Sequence, residues 1–428
     1  MRNVSLAPSL RVRRQTDGDR RHLPRALESA STLLAWARGE GDQAVLEERL
    51  TALRRALLES PYYVETLRGA GLSPRDLRSP TDLPHFPLLD RATLRTRAAD
   101  LPAFDPGDAG AAEVSLIETS GSTGEPMAVL KDGYDQLHMW AVLRFWLGWL
   151  RIELPPRPRV LLACSLPGGI EYSVRLPLLE RGALHRIALH EEAALHRWRK
   201  LVPDIVFTDP AGLHWMAAQE RLPLPRLLLT SAQYFSPHER RRFDEALAVP
   251  IVNYYSLTEV GPLAWECCQQ PGRFHVLLPD VWVESVDGEI VVTRLRPSVL
   301  PLLRYRTGDH GDVVPDACPC GHHGLTITGF SGRRVCVFTR PDGQAIDAWQ
   351  LAWLFKHYPL DRFRLTQQGP QDFLLELAAS GLACDTEDLR RRLTAALGNL
   401  GWVSPRLQLE VRPELATAGV KPEPFRRA

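Results

Sequence analysis

Lysine is scarce in this chain of 428 residues. Only four of its 52 basic residues are lysines: Lys131, Lys200, Lys356 and Lys421. The arginine bias is typical of a GC-rich genome, yet it leaves only four candidates for any role that requires a compact ammonium group. Net charge is also lacking, since 51 acidic residues balance the basic ones. This balance argues against bulk electrostatic attraction to nucleic acid or to an anionic membrane, so we expect neither partner.

Long apolar runs and a disulfide framework are absent too. The longest apolar stretch, at 139–150, is too short to span a bilayer and contains Arg144. The arginine-rich N-terminus lacks the apolar core of a secretion signal. Seven cysteines, an odd number in a large chain, argue against paired disulfides and predict a protein of the reducing cytoplasm.

Apolar periodicity predicts an α/β protein with two domains. Residues 1–22 are polar and arginine-rich, and we expect them to be flexible. From about residue 113, short unbroken apolar runs alternate with amphipathic helical ones, which is typical of strands that helices cover on both faces. Residues 333–428 follow a strand–helix–strand–helix–strand pattern that predicts a small α+β domain. The predicted strands are 335–338, 363–367 with 372–378, and 407–411, and the predicted helices are 348–357 and 386–397. The predicted domains are therefore 1–332 and 333–428.

A loop rich in glycine and hydroxyl residues is the first candidate site. Residues 119–126 read TSGSTGEP. Close-approaching backbone amides and hydroxyl donors are what a polyphosphate requires. The loop is not of the Walker type, because no Gly-Lys-Ser/Thr follows. An ordinary polar turn between strands is the alternative interpretation.

Four further features follow along the chain. Residues 254–259 read YYSLTE directly after an apolar run, and a carboxylate and a hydroxyl at a strand end suit Mg²⁺ and phosphate. A Thr-Glu pair also begins many helices. In residues 304–309, RYRTGD, the aspartate after a glycine turn can accept both hydroxyls of a ribose, and the arginines either serve phosphates or solvate the loop. Arg333 follows Gly332 at the predicted boundary, and Lys421 lies near the C-terminus.

In this order the five features resemble the core motifs of the adenylate-forming superfamily of acyl-CoA synthetases and adenylation domains. The likeness is greatest to the phenylacetate-CoA ligase branch, with its coenzyme-synthetase-like and capsule-biosynthesis-like relatives, and covers the chain from about residue 58. Residues 60–63 (SPYY) and 70–77 (AGLSPRDL) look like that branch's N-terminal signature, and PLLRYRTGD is the most specific motif.

The resemblance implies a fold and an activity. The fold is a large N-terminal adenylate-forming domain of layered sheets and helices, followed by a small mobile C-terminal domain. The activity is ATP-dependent conversion of a carboxylic acid, by family default an aromatic one, to an acyl-adenylate and pyrophosphate. The acyl group then passes to CoA or another thiol. Loading of a carrier protein, amide formation, and a nucleotide-binding pseudo-enzyme without turnover are alternatives, and the resemblance also allows a homodimer.

Roles then carry over to individual positions. The nucleotide-binding residues implied are Ser120, Gly121, Ser122, Thr123 and Gly124 for the β- and γ-phosphates, Tyr255 for adenine, and Asp309 with Arg333 for ribose. Thr258 contacts the α-phosphate and Glu259 binds Mg²⁺. Lys421 is the mobile lysine that bridges ATP and the carboxylate. The residues that border the acid are Ser231, Tyr234 and Tyr254.

A cysteine–histidine cluster also resembles a site found in this branch. The candidate ligands are Cys267, His275, Cys318 and Cys320. Three thiolates and one imidazole suit tetrahedral Zn²⁺, and four protein ligands make a closed, structural site. Cys268 competes with Cys267 for one position, and His322 and His323 are further candidates. Reduced, buried cysteines without a metal are the alternative.

Two positions depart from the family pattern. Ser256 stands where the family has glycine, and Arg334-Val335 follows Arg333 where a hinge aspartate is usual. The second departure bears on domain rotation and hence on the use of CoA.

Overall fold

The structure is a computed structural model. It describes residues 11–12, 22–103, 113–118, 128–164, 172–176, 179, 182–189, 191–231, 235, 237–331, 336–355, 358, 360, 363–378, 385–412 and 425–427. Helices and strands both make up substantial parts of these residues, so the predicted α/β class is confirmed. None of the helices in these ranges is long and apolar enough to cross a membrane.

Aspartate side chains cap several of the helices. Asp42, Asp90 and Asp209 accept hydrogen bonds from the first turn of the helix that follows each of them, which satisfies otherwise unpaired backbone N–H groups. The α-helices are α1 Leu23–Ala37, α2 Gln43–Glu59, α3 Pro61–Gly69, α4 Arg91–Thr96, α5 Gly133–Trp149, α6 Ala194–Leu201, α7 Pro210–Ala217, α8 Pro237–Leu247, α9 Ala352–Phe355 and α10 Thr386–Asn399.

The strands are numbered in chain order. They are β1 Arg11–Val12, β2 Glu113–Glu118, β3 Ala128–Asp132, β4 Arg159–Cys164, β5 Tyr172–Leu176, β6 Gly182–Ala188, β7 Ile205–Thr208, β8 Leu227–Thr230, β9 Ile251–Leu257, β10 Gly261–Glu266, β11 Phe274–Val276, β12 Val281–Val286, β13 Glu289–Arg294, β14 Tyr305–Ala317, β15 His323–Ser331, β16 Val337–Thr339, β17 Ala345–Asp347, β18 Phe363–Gln367, β19 Asp372–Leu377, β20 Arg406–Val411 and β21 Phe425–Arg427.

The chain divides into two compact units. The first consists of Met1–Arg157, Arg175–Gly182 and Tyr254–Phe330. Strands β1, β2 and β3 form a small separate sheet in that order. The larger set of strands in this unit lies in the order β12-β13-β14-β15-β11-β10-β9, and the pairs β12–β13, β13–β14, β11–β15, β10–β11 and β9–β10 are antiparallel. Helix α5 is apolar around much of its circumference, as a helix buried on several sides must be.

The second unit consists of Pro158–Val174, Ala183–Asn253 and Ser331–Ala428. Strands β6, β4, β7 and β8 and the first half of β9 are parallel neighbours in that order. β7 and β8 are buried at every residue, which confirms that their apolar runs are covered on both faces. Trp198, Phe235 and Phe243 pack into the core beside them.

Residues 336–427 of the second unit include a separate four-stranded sheet. Its order is β20-β19-β18-β21, and α10 contributes Leu389 and Leu393 to the apolar cluster that includes residues of β18, β19 and β21. The predicted strands at 363–367 and 372–378 and the predicted helix at 386–397 are present. Of the predicted helix at 348–357, Ala348–Leu351 form a 3₁₀ helix and Ala352–Phe355 form the short α9, and residues 356–357 lie outside the described residues. The predicted domain boundary at 332 lies outside the described residues and stays a prediction.

Candidate active site and metal centre

The turn between β9 and β10 carries the predicted magnesium ligand. The two strands pair with Gly261 opposite Leu257, so the chain reverses within residues 258–260. Gly261 has a φ of +93°, a conformation that side chains rarely adopt. Thr258 is half-buried and Glu259 is 1 % exposed. A hydroxyl and a carboxylate therefore stand side by side at the end of an apolar strand.

Two donors hold the carboxylate of Glu259. Its Oε1 accepts a hydrogen bond from the Tyr305 hydroxyl at 2.8 Å and from the Arg91 guanidinium at 3.1 Å. Tyr305 begins β14, and Arg91 begins α4 immediately after its N-cap residue. Bonds of this kind fix the direction in which a carboxylate points. A carboxylate held in one orientation is suited to a hard cation such as Mg²⁺.

The predicted adenine and ribose residues meet. The Tyr255 hydroxyl donates to Oδ2 of Asp309 at 2.5 Å, although the two residues are 54 positions apart. Gly308, with a φ of +77°, precedes Asp309 and donates its N–H to Glu289. The Asp309 N–H is bound in turn by the Thr307 hydroxyl oxygen. The backbone of Asp309 is therefore fixed by Thr307, and its carboxylate is oriented by Tyr255.

Aromatic rings cover this part of the first unit. The ring of Tyr255 packs on Phe330 with centroids 4.6 Å apart, and that of Tyr254 packs on Trp146 at 5.1 Å. Neighbouring residues of a strand point to opposite faces of the sheet, so the side chains of Tyr254 and Tyr255 contact different residues. Trp146 is fully buried, so it acts as core beneath Tyr254.

The cysteine–histidine cluster comes together in the first unit. Its potential ligand atoms all lie within 4.8 Å of one another and belong to Cys267, His275, Cys318 and Cys320. The Sγ atoms of Cys267 and Cys318 are 3.6 Å apart, and Sγ of Cys320 is 3.2 Å from Nε2 of His275. Tetrahedral zinc with bonds of about 2.0–2.3 Å places its ligand atoms about 3.5–3.8 Å apart. The Cys267–Cys318 separation falls in that range and the other separations lie within about 1 Å of it, so the donor set can fit this ion after small side-chain shifts.

Hydrogen bonding orients His275, and side-chain exposure distinguishes Cys267 from its competitor Cys268. Nδ1 of His275 lies 3.1 Å from the Thr326 hydroxyl, which leaves Nε2 to face the cysteines. Cys268 is exposed whereas Cys267 is buried, so the geometry favours Cys267 as the ligand. His322 stacks on His275 with centroids 4.0 Å apart and is not among the four grouped donors. Burial raises the pKa of the Cys320 thiol to about 12, so it keeps its proton at neutral pH unless a cation displaces it.

Comparison with known proteins shows which enzymes this chain is similar to. No family model matches the chain. The phenylacetate-coenzyme A ligase of Thermus thermophilus is 26% identical over 328 residues, 68% of this chain and 70% of that protein. The enzyme of the same name from Escherichia coli is 24% identical over 402 residues, 83% of this chain and 89% of that protein. The chain is similar to the phenylacetate-coenzyme A ligases over most of its length.

The fold agrees with this relationship. The crystal structure of 2-hydroxyisobutyryl-CoA ligase in the postadenylation state, in complex with R3-HIB-AMP, superposes with a TM-score of 0.67 at 18% identity, and covers 90% of this chain and 89% of that chain. The resemblance to the adenylate-forming superfamily, the fold class and the ligase class predicted from the sequence are therefore confirmed.

Several of the residues predicted from the sequence lie outside the described part of the chain. They are Ser120, Gly121, Ser122, Thr123, Gly124, Tyr234, Arg333 and Lys421. Their roles stay predictions. Ser231 follows β8 and is half-buried, and its role at the acid also stays a prediction.

Sequence reasoning missed several residues that contact the predicted ones, among them Tyr305, Phe330 and Arg91. Tyr305 could have been found, because it alternates with Thr307 and Asp309 along one strand and so shares their face. Phe330 and Arg91 carried no such signal. Arg91 is 168 positions from Glu259, and only the fold brings them together.

Proposed function

We propose that this protein is an ATP-dependent ligase that converts a carboxylic acid to an acyl-adenylate and then transfers the acyl group to CoA. The observation that carries the proposal is the junction of separate motifs: Tyr255 bonds to Asp309, and Tyr305, four residues before Asp309, bonds to Glu259. The phenylacetate-coenzyme A ligases to which the chain is similar support the choice of reaction.

The first half-reaction joins two anions. An oxygen of the carboxylate attacks the α-phosphorus of ATP, and the bond to pyrophosphate breaks. Glu259 would hold the Mg²⁺ that accompanies the nucleotide, and its carboxylate fits such an ion. Lys421 would place an ammonium between the carboxylate and the α-phosphate, where it would offset the charge that accumulates in the transition state. Asp309 would accept the ribose hydroxyls, and residues 120–124 would cradle the β- and γ-phosphates.

The second half-reaction requires a thiol. The sulfur of CoA attacks the acyl carbon, and AMP leaves with the bonding electrons. We propose an aromatic acid as the substrate, because the relatives carry the name of phenylacetate. Tyr254, packed on Trp146, would provide an aromatic wall to such an acid.

The test is exchange of labelled pyrophosphate into ATP in the presence of phenylacetate and a panel of aromatic and aliphatic acids. We expect exchange with at least one acid, and its loss in Glu259→Gln. Glu239→Gln is the matched control, because that glutamate is equally buried but pairs with His214 in the second unit. Absence of exchange across the panel would refute the ligase.

The acceptor is identified in the same experiment. Adding CoA should convert the active acid to its thioester, with AMP released. Exchange without a CoA thioester would refute CoA as the acceptor and would point to a carrier-protein thiol or an amine.

A further inference from the structure

A buried charge cluster stands directly behind Glu259. Asp135 on α5 accepts hydrogen bonds at Oδ1 from Arg296 at 2.7 Å and from Arg294 at 3.1 Å, and at Oδ2 from Ser298 at 2.6 Å. The side chains of the aspartate and of both arginines are at most 1 % exposed. Burial favours the neutral acid, but the two guanidinium groups outweigh it and hold the pKa of Asp135 below its usual value.

The same arginines bind the backbone of the Glu259 turn. Nη2 of Arg294 donates to the carbonyl oxygen of Glu259 at 3.0 Å, and Nη2 of Arg296 donates to that of Val260 at 2.5 Å. Each guanidinium therefore joins Asp135 to a carbonyl of the turn. The planar guanidinium of arginine permits two such bonds in fixed directions. A lysine ammonium carries its donors on one rotatable nitrogen and has no such fork.

Gly261 shows how closely the turn is fitted to this cluster. A Cβ atom at Gly261 would lie 3.3 Å from Nη2 of Arg296 and 3.6 Å from Nδ1 of His138. Together with its positive φ, this closeness restricts the position to glycine. The exit of the turn is therefore constrained by the same arginine that binds the Val260 carbonyl.

We propose that Asp135, Arg294 and Arg296 are positioning residues that fix the Glu259 turn and thereby set the affinity of the site for metal-bound ATP. This inference rests on the proposed function of Glu259. Buried ion pairs add little net stability compared with apolar packing, so stability alone does not account for this cluster. Groups that orient a metal ligand typically contribute about 10- to 100-fold to metal affinity.

The test measures binding of ATP to the full chain, with Mn²⁺ replacing Mg²⁺, by the relaxation of water protons around the bound Mn²⁺. Affinity for ATP alone is measured in parallel with EDTA present. Arg296→Lys keeps the charge but loses the fixed fork, and Asp135→Asn removes the anion that holds both arginines. We expect each to weaken binding of Mn·ATP by about tenfold, with a much smaller change for ATP alone.

Two matched variants control for damage to the fold. Arg240→Lys changes an arginine that is 4 % exposed and paired with Asp244, and Glu239→Gln changes a fully buried carboxylate. Both lie on α8 in the second unit. We expect them to lower the melting temperature as Arg296→Lys and Asp135→Asn do, while affinity for Mn·ATP stays as in the wild type.

The outcomes separate this inference from the proposed function. If Glu259→Gln weakens binding of Mn·ATP but Arg296→Lys and Asp135→Asn bind it as the wild type does, the positioning role is refuted and the function of Glu259 stands. If the variants lose Mn·ATP and ATP alone to the same extent, the cluster is merely structural. If the wild type does not bind Mn·ATP, the proposed function fails and the inference fails with it. If Asp135→Asn does not fold, Arg296→Lys alone decides.

Discussion

At the scale of single residues, the site depends on carboxylate oxygen atoms that accept hydrogen bonds from residues of other motifs. Oε1 of Glu259 accepts from Tyr305 and Arg91, and the Asp309 carboxylate accepts from Tyr255. Each acceptor is buried, so loss of one donor leaves part of its hydrogen-bonding capacity unsatisfied. Substitutions of the donors should therefore affect both stability and ligand binding.

Tyr255→Phe removes the hydroxyl that donates to Asp309. A hydrogen bond to a charged group contributes about 1.5–3 kcal/mol, so we expect the free energy of unfolding to fall by up to that amount. The KM for ATP should rise because Asp309 loses its orientation. Tyr358→Phe is the matched control, since Tyr358 donates to Asp388 at 2.6 Å in the C-terminal part. An equal rise in KM for both variants would contradict the assigned role of Tyr255.

Lys421→Ala tests the lysine predicted from the sequence. Pyrophosphate exchange should fall by about 10²-fold or more, because a charge-stabilising group is lost from the first half-reaction. Thioester formation from a supplied acyl-adenylate should change far less. Lys200→Ala, at an exposed lysine, is the control. Equal losses in both half-reactions of Lys421→Ala would refute the role.

At the scale of secondary-structure elements, buried polar bonds tie helices to strands. Helix α5 contributes His138, whose Nε2 lies 2.8 Å from Oδ2 of Asp280, the residue before β12. Arg49 on α2 is 3.2 Å from the other oxygen of Asp280. Helix α5, helix α2 and the segment before β12, which are distant in sequence, therefore meet at the Asp280 carboxylate. We expect protonation of the groups around this carboxylate to change the stability of the fold.

Acidic pH should lower the free energy of unfolding, because His138 is buried in its neutral form. Burial lowers its pKa to about 4, and an unfolded histidine titrates near 6.5. Between these values the unfolded chain binds a proton that the folded chain does not, so the free energy of unfolding falls as the pH falls from about 6.5 to about 4. The full effect is about 3 kcal/mol.

Urea unfolding at several pH values measures this effect. His138→Gln should make the profile less steep in that window, and His196→Gln, at an exposed histidine, should leave it unchanged. A wild-type slope retained in His138→Gln would show that other groups cause the pH dependence.

We expect the purified protein to contain zinc bound by Cys267, His275, Cys318 and Cys320, which lie where β10, β11, β14 and β15 meet. Elemental analysis of the purified protein should find about one zinc per chain. Cys267→Ser should lose the metal and Cys268→Ser should retain it, because only Cys267 belongs to the grouped donors. A chelator should lower the melting temperature of the wild type. Equal zinc content in the two variants would contradict the assignment of Cys267.

At the scale of the whole molecule, the chain shares its fold with a ligase to which it is only 18% identical. A ligand that binds only the folded state stabilises the entire chain by mass action. ATP with Mg²⁺ at a hundred times its dissociation constant should therefore raise the free energy of unfolding by about 2.7 kcal/mol. Scanning calorimetry measures this rise, and CTP is the control for recognition of adenine. No rise with ATP would argue against the nucleotide site.

The sequence by itself determined the class of the fold, the buried parallel strands and a set of candidate metal donors in which Cys267 and Cys268 stayed alternatives. These follow from local causes, because unbroken apolar runs specify strands covered on both faces and residue type specifies ligand chemistry. The motif letters also sufficed to place Tyr255, Thr258, Glu259 and Asp309 in a predicted site.

Only the tertiary structure decided which partners hold those residues. Arg91 lies 168 positions from Glu259, and Asp135 lies 159 positions from Arg294, so no local pattern could join them. It also favoured Cys267 over Cys268, because the two neighbours have opposite exposure. Chemical capacity is a property of the residue, but orientation and pairing depend on long-range packing, which a single sequence does not display.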